Sequence, residues 1–204
     1  MFSFKILSKR VNRNETEIEI GNRKIAAHAF LYSPSTKILF NSIPMRYSIM
    51  MQIRFDGKIG FPGGLIDKGE NIEFGLNREL KEEIGLEEKF YLDESNYVGS
   101  YVTPKLVDHF YVKEYFEKDL ERIERGVLEA KDWGGETLGL LRVPVHTLHD
   151  NRKPLPAFLL HNFIADARDQ LIHSIVDTDV LSESEMNNIL VESQQLKDKM
   201  VQKL

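Results

Sequence analysis

Glu79, Glu82 and Glu83 stand at i, i+3 and i+4 of a segment whose apolar residues Ile72, Leu76, Leu80 and Ile84 recur every four positions. That recurrence predicts an amphipathic helix, which begins near Glu70 or Asn71 and ends at Gly85 through a left-handed cap. The three carboxylates then share one face, within roughly a 100° arc beside the apolar stripe. Like charges at this spacing destabilise a helix, and two of them about 5 Å apart repel by roughly 3 kcal/mol at an effective dielectric near 20. A divalent cation turns that repulsion into attraction. Oxygen-only donors suit hard ions such as magnesium or manganese, which keep some waters and share substrate phosphates. An isolated charge run of this kind is more often a solvated face, with Arg78 and Lys81 as partners.

Here the run is not isolated. Phe61-Pro62-Gly63-Gly64 follows a strand-like stretch and leads into the loop before the helix. Glycine lets a backbone turn sharply and approach a ligand, so the Gly63 carbonyl is a candidate metal donor. Glu70 and Arg78 carry opposite charge on either side of the loop, and a bidentate pair between them would lock loop to helix. Gly64, Glu70 and Arg78 are therefore read as structural. Together the pattern G-x5-E-x7-R-E-L-x-E-E-x-G-L fixes nine positions across twenty-three, from Gly64 to Leu86. It resembles the Nudix box, the signature of metal-dependent hydrolases of nucleoside diphosphate derivatives.

The chain has 204 residues, a formal net charge of -5 and no cysteine. Cysteine-ligated zinc, disulfides and thiol catalysis are excluded. The negative balance argues against tight, sequence-independent nucleic-acid binding, which needs Lys and Arg to neutralise phosphates, yet leaves an RNA substrate possible. Residues 1–7 are too short an apolar run for a signal peptide, and no later run approaches a membrane span. The expectation is one soluble, intracellular domain over residues 1–204, with a core at about 24–176 and a last helix at about 182–200.

Strands are expected at 24–32, 37–40 and 47–55, with Asp56-Gly57 as a hairpin turn that returns through 58–61. A further pair is expected at 97–102 and 107–116, a charged helix at 117–130, and a strand at 138–145. Residues 158–176 have helical spacing with Pro156 near the start, and Ser182 to Glu185 fits a capping box for the last helix. Strands mixed with helices in this order suggest an α+β fold with a mixed sheet sandwiched between helices, which is also the fold that the box implies.

The series 46–57, 75–80 and 138–144, extended by Asn162-Phe163-Ile164 and Ala167-Arg168-Asp169-Gln170, resembles the snoRNA-decapping and inosine diphosphate phosphatase branch of Nudix hydrolases. The similarity runs from about Ala26 to Leu171. It implies magnesium or manganese as cofactor, capped RNA and nucleoside diphosphates as substrates, a homodimer, and a nuclear, nucleolar and cytoplasmic location with no membrane. By the same resemblance Gly63, Glu79, Glu82 and Glu83 hold metal, Glu82, Glu83 or Glu136 serves the reaction as acid or base, and His28, Arg54, Phe61 and Gln170 contact nucleotide. Phe61 would offer a stacking face, and His28 and Gln170 would donate to the six-keto oxygen of hypoxanthine or guanine. Three places depart from the branch. Trp133 and the Tyr101 region differ from its residues, which bears on base preference. His173 stands where its relatives place another carboxylate, so the imidazole coordinates the metal, Asp169 or Asp177 substitutes for it, or the chain uses fewer ions. Two further readings are an ADP-ribose hydrolase and a binding module of the same fold.

Overall fold

A computed structural model describes residues 9–202; residues 1–7, weighed above as a signal peptide, lie outside them. The elements run β1 (Lys9–Val11), α1 (Arg13–Ile20), β2 (Lys24–Leu39), β3 (Ile43–Arg54), β4 (Ile59–Gly60), β5 (Gly63–Leu65), α2 (Ile72–Ile84), β6 (Tyr97–Val102), β7 (Leu106–Glu114), α3 (Glu117–Gly126), β8 (Thr137–Arg142), α4 (Leu155–Phe158), α5 (Ala167–Asp177) and α6 (Glu183–Val201). The eight strands of the described residues join one mixed sheet in the order β1-β6-β7-β2-β3-β4, with β5 also on β2 and β8 also on β3.

Among the described strands only β2 and β7 run parallel, with Lys24 opposite Leu106 and His28 opposite Phe110. β2 changes neighbours along its length: Ala26 to His28 pair with β5, whereas Leu31 to Leu39 pair with β3. The sheet therefore splays where β3 leaves β2, and the glycine strand β5 occupies the resulting notch. This is the geometric origin of the site.

Because side chains alternate along a strand, each face of the sheet has its own core. Phe30, Phe110 and Tyr101 pack with Leu171 and Ile175 of α5 and Met186 and Ile189 of α6. Ala27, Ala29, Leu31 and Tyr111 pack on the other face with Leu76, Leu80 and Ile84 of α2 and Leu120 and Ile123 of α3. The expected mixed sheet between helices is what forms.

Two expectations are corrected. The strands expected at 24–32 and 37–40 are one strand, β2, with a register shift between Ser35 and Ile38 that carries the chain through Pro34 without ending the pairing. The helix expected over 158–176 is two helices, because Phe163 bridges to Ile59 and the Ile164 amide donates to the Ile59 carbonyl, with Ala165 at φ 41°. Apolar residues at helical spacing here are divided between a strand-like bridge and α5. The sheet also gains β1 and the helix α1, which periodicity did not reveal.

Candidate active site

Helix α2 starts at Asn71, whose side chain accepts from the Phe74 amide, and ends at Gly85 in the left-handed conformation, as its spacing predicted. The Arg78 Nε and one terminal nitrogen donate to the two Glu70 oxygens at 3.0 Å each, while the same guanidinium donates to Glu79 at 2.7 Å and the Leu65 carbonyl at 3.2 Å. A single Arg thus ties the glycine loop, the helix and the first acidic residue together.

The loop glycines have separate steric tasks. Gly63 has φ +130°, and a Cβ there would sit 2.2 Å from the Ala27 carbonyl oxygen. A Cβ on Gly64 would lie 2.5 Å from Glu79 Oε2. One glycine lets β5 lie on β2, and the other lets the Glu79 carboxylate lie on β5.

Glu83 is 2% exposed. Its Oε2 accepts from the Gly63 amide at 2.8 Å and from Gln52 Nε2 at 2.9 Å, and the Gln52 carbonyl in turn accepts from the Thr137 hydroxyl at 3.2 Å. Burial pushes the Glu83 carboxyl up to about 7, against these two donors and the nearby His28. The Gly63 amide is thus committed to Glu83. Burial also raises the Glu79 carboxyl; Arg78 opposes this, and the charges of Glu82 and Glu136 add to it. Glu82 accepts from Lys131 at 2.8 Å.

These residues open into a cleft of about 470 Å³, where Glu79, Glu82, Glu83 and Glu136 face His28, Arg54 and Gln170. His28 Nδ1 lies 2.8 Å from Asp108 Oδ1, and Gln170 Nε2 donates to Asp108 Oδ2 at 2.6 Å. Burial opposes charge on His28, but Asp108 outweighs it and holds the imidazole above its ordinary range. The Gln170 amide nitrogen, expected to donate to a base, commits one of its two N–H groups to Asp108;. Arg54 lines the cleft with its Nε 3.5 Å from Asp56 Oδ1.

Two assignments change. Phe61 borders the cleft but is 2% exposed, with its ring edge-on to Phe110 at 5.1 Å and tilted against Phe30 at 5.8 Å. Both contacts belong to the core, so it forms a wall rather than an open stacking face. His173 is not among the residues lining the cleft; it stacks on Tyr101, whose hydroxyl lies 3.0 Å from His173 Nδ1. The structure thus parts His173 from the acidic helix, and Asp177 pairs with Arg10 at 2.6 Å.

Sequence reasoning missed Gln52, Asp108, Lys131 and Asp166. Gln52 within Met50-Met51-Gln52-Ile53 and Asp108 within Val107-Asp108-His109-Phe110 are polar residues inside apolar strands. Such a residue must find a buried partner, and that signal was readable.

The donor set fits a hard cation. Among the described residues no three His, Asp or Glu side chains already converge as a metal cage. A magnesium-type ion does not need one, because it takes one or two carboxylates and completes its shell with water and phosphate. Glu79 and Glu82 rest on Arg78 and Lys131, two cations that balance the acidic face.

The family model described as Nudt16-like, U8 snoRNA-decapping enzyme-like matches residues 25–181. A U8 snoRNA-decapping enzyme of Mus musculus is 45% identical over 160 residues, covering 76% of this chain and 82% of the relative. The enzyme of that name from Xenopus laevis is 39% identical over 193 residues, covering 92% and 91%. The Tudor-interacting repair regulator protein of Homo sapiens is 34% identical over 183 residues, covering 88% and 85%. With more than half its length matched by one model, and with the box residues assembled on α2 and β5, the chain belongs to the Nudt16-like family of Nudix proteins.

Proposed function

We propose that this protein is a metal-dependent hydrolase that removes the 5′ cap from RNA by cleaving a phosphoanhydride bond. The observation that carries this reading is the complete acidic face of α2 set against β5 at the wall of a cleft that also contains His28, Arg54 and Gln170. Water adds to one phosphorus of the cap bridge, the P–O bond to the neighbouring phosphate breaks, and the products are a capped nucleoside diphosphate and an RNA with a 5′ monophosphate.

Glu79, Glu82 and Glu83 would hold magnesium or manganese, which when bound neutralises bridging phosphate charge and acidifies the attacking water. Arg78 and Gly64 keep Glu79 in place, and the Gly63 amide with Gln52 orients Glu83. Glu82 or Glu136 receives the proton of the water. Arg54 meets phosphate, and the paired His28 and Gln170 face the base. The same cleft suits inosine diphosphate, whose terminal phosphate is held by the same kind of bond.

Relatives named Tudor-interacting repair regulator make a binding module the second reading, and the intact Glu79, Glu82 and Glu83 set favours catalysis over it. Capped RNA, cap dinucleotide, inosine diphosphate and ADP-ribose should be compared under one manganese or magnesium condition. Cleavage of capped RNA to the 5′-monophosphate product is expected. Consumption of ADP-ribose alone would overturn the decapping reading, and no turnover of any of the four would favour the binding module.

A further inference from the structure

The cleft continues beyond the reacting centre along two parallel strands. On β2, Lys24, Ala26 and His28 project to one face, and on β7 their partners Leu106 and Asp108 share it;. Ala26 and Leu106 line the cleft beyond the His28 and Asp108 pair. One register step further, the strands end in a second groove, lined by Asn22, Arg23, Lys24, Pro104 and Lys105. The Lys24 amide donates to the Lys105 carbonyl at 3.1 Å, which fixes the two lysines side by side, and the Arg23 Nε donates to the Thr103 carbonyl at 2.9 Å.

Lys24 and Lys105 are exposed, and among the described residues neither forms an ion pair. In a chain of net charge -5, two unpaired lysines meet where the cleft runs out to the end of the sheet. The reacting phosphates would sit beside the acidic face, where a bound metal would balance their charge, so these lysines serve a different part of the ligand. At about 3.3 Å per residue, Lys24 is about 13 Å from His28, far enough to meet the chain after it has left the reacting centre.

We propose that the groove between Asn22–Lys24 and Pro104–Lys105 binds the phosphates of the RNA chain that follows the cap. The proposal rests on the decapping reading and explains how an acidic protein holds a polyanion: a lysine pair does so where the substrate leaves the cleft. It separates recognition of the cap, inside the cleft, from recognition of the chain, outside it.

The test compares the unaltered protein with K24A/K105A on capped RNA of about ten nucleotides and on cap dinucleotide, which has the same anhydride and no following phosphates. For the RNA, the double variant is expected to lose about 5- to 20-fold in kcat/KM near 0.1 M salt, and its log-log salt slope is expected to fall by about 1.4, at roughly 0.7 per single-strand phosphate contact. Dinucleotide cleavage is expected to stay within twofold, which also reports that the variant is folded. Equal losses on both substrates, or an unchanged RNA rate and salt slope, would overturn the groove. Anisotropy of the labelled capped RNA is read in parallel with the same expected slope change. An unaltered protein that binds this RNA through the two lysines without cleaving it would refute the decapping reading and leave the groove standing.

Discussion

Glu83 is costly to the fold, and the proposed chemistry is what would repay that cost. It is buried, one of its two oxygens takes two donors, and its carboxyl is displaced upward by burial. A buried carboxylate is expensive even when hydrogen bonded, so a neutral isostere removes a cost. Glu83→Gln is expected to reduce turnover more than a hundredfold, about 2.7 kcal/mol of transition-state stabilisation or more. Its thermal midpoint, measured with chelator present, should equal or exceed that of the parent, because the Gln carbonyl accepts the same two bonds. Activity retained within threefold would remove Glu83 from the reaction. The identity of this residue was legible in the sequence from its place in the box. That Gln52 must find a buried partner was readable too, but that the partner is Glu83 was not, because β3 lies 31 residues away in the chain, and Thr137, which donates to Gln52, comes from a strand 54 residues from Glu83.

Helix α2 was the most legible element, since its apolar period, its Asn71 cap and its Gly85 stop all agreed;. What the period did not announce is how α2 holds the chain that follows. Asn77 is buried on α2, and its Nδ2 donates to the carbonyls of Glu73 and Leu92 while its Oδ1 accepts from the Leu92 amide. Leu92 is itself in the core beneath α2, so the side-chain amide acts as a missing strand for one residue. Asn77→Ala would leave both Leu92 backbone groups buried without partners, at about 1–3 kcal/mol each. The expected loss is about 2–4 kcal/mol, or a fall of roughly 5–15 °C in Tm at about 2–4 °C per kcal/mol for a chain of this size. A midpoint within 1 °C of the parent would show that water satisfies those groups. The split of α4 from α5 was illegible for a related reason. Phe163 and Ile164 sit at helical spacing, but Ile59 of β4 claims their backbone, and a partner more than a hundred residues distant leaves no local trace.

At the scale of the whole molecule, the two cores on opposite faces of one sheet make the interior strands β2 and β7 the common support of both. A polar residue in either strand therefore acts on the entire fold. His109 on β7 is such a residue: it is buried, its Nδ1 lies 3.2 Å from the Ser100 hydroxyl, and its Nε2 is buried without a hydrogen bond. Burial pushes its pKa down to about 4, with Arg13 acting in the same direction and Asp108 and Glu73 against it. The unfolded chain takes up this proton near pH 6.5, whereas the folded chain resists until about pH 4. Between those values the unfolded state binds more protons, so stability falls as the pH falls, and above 6.5 this residue contributes no slope. Urea unfolding at pH 7.5 and pH 4.5 should show a loss of roughly 2–3 kcal/mol attributable to His109, at about 1.4 kcal/mol per pKa unit. His109→Leu keeps the volume nearly unchanged and should remove that part of the loss while leaving the remaining carboxylate-driven decline. The comparison is between slopes, so a constant offset from repacking does not affect it. Equal losses in parent and variant would mean that the sheet opens locally to hydrate His109, and β7 would then not be the rigid centre that both cores require.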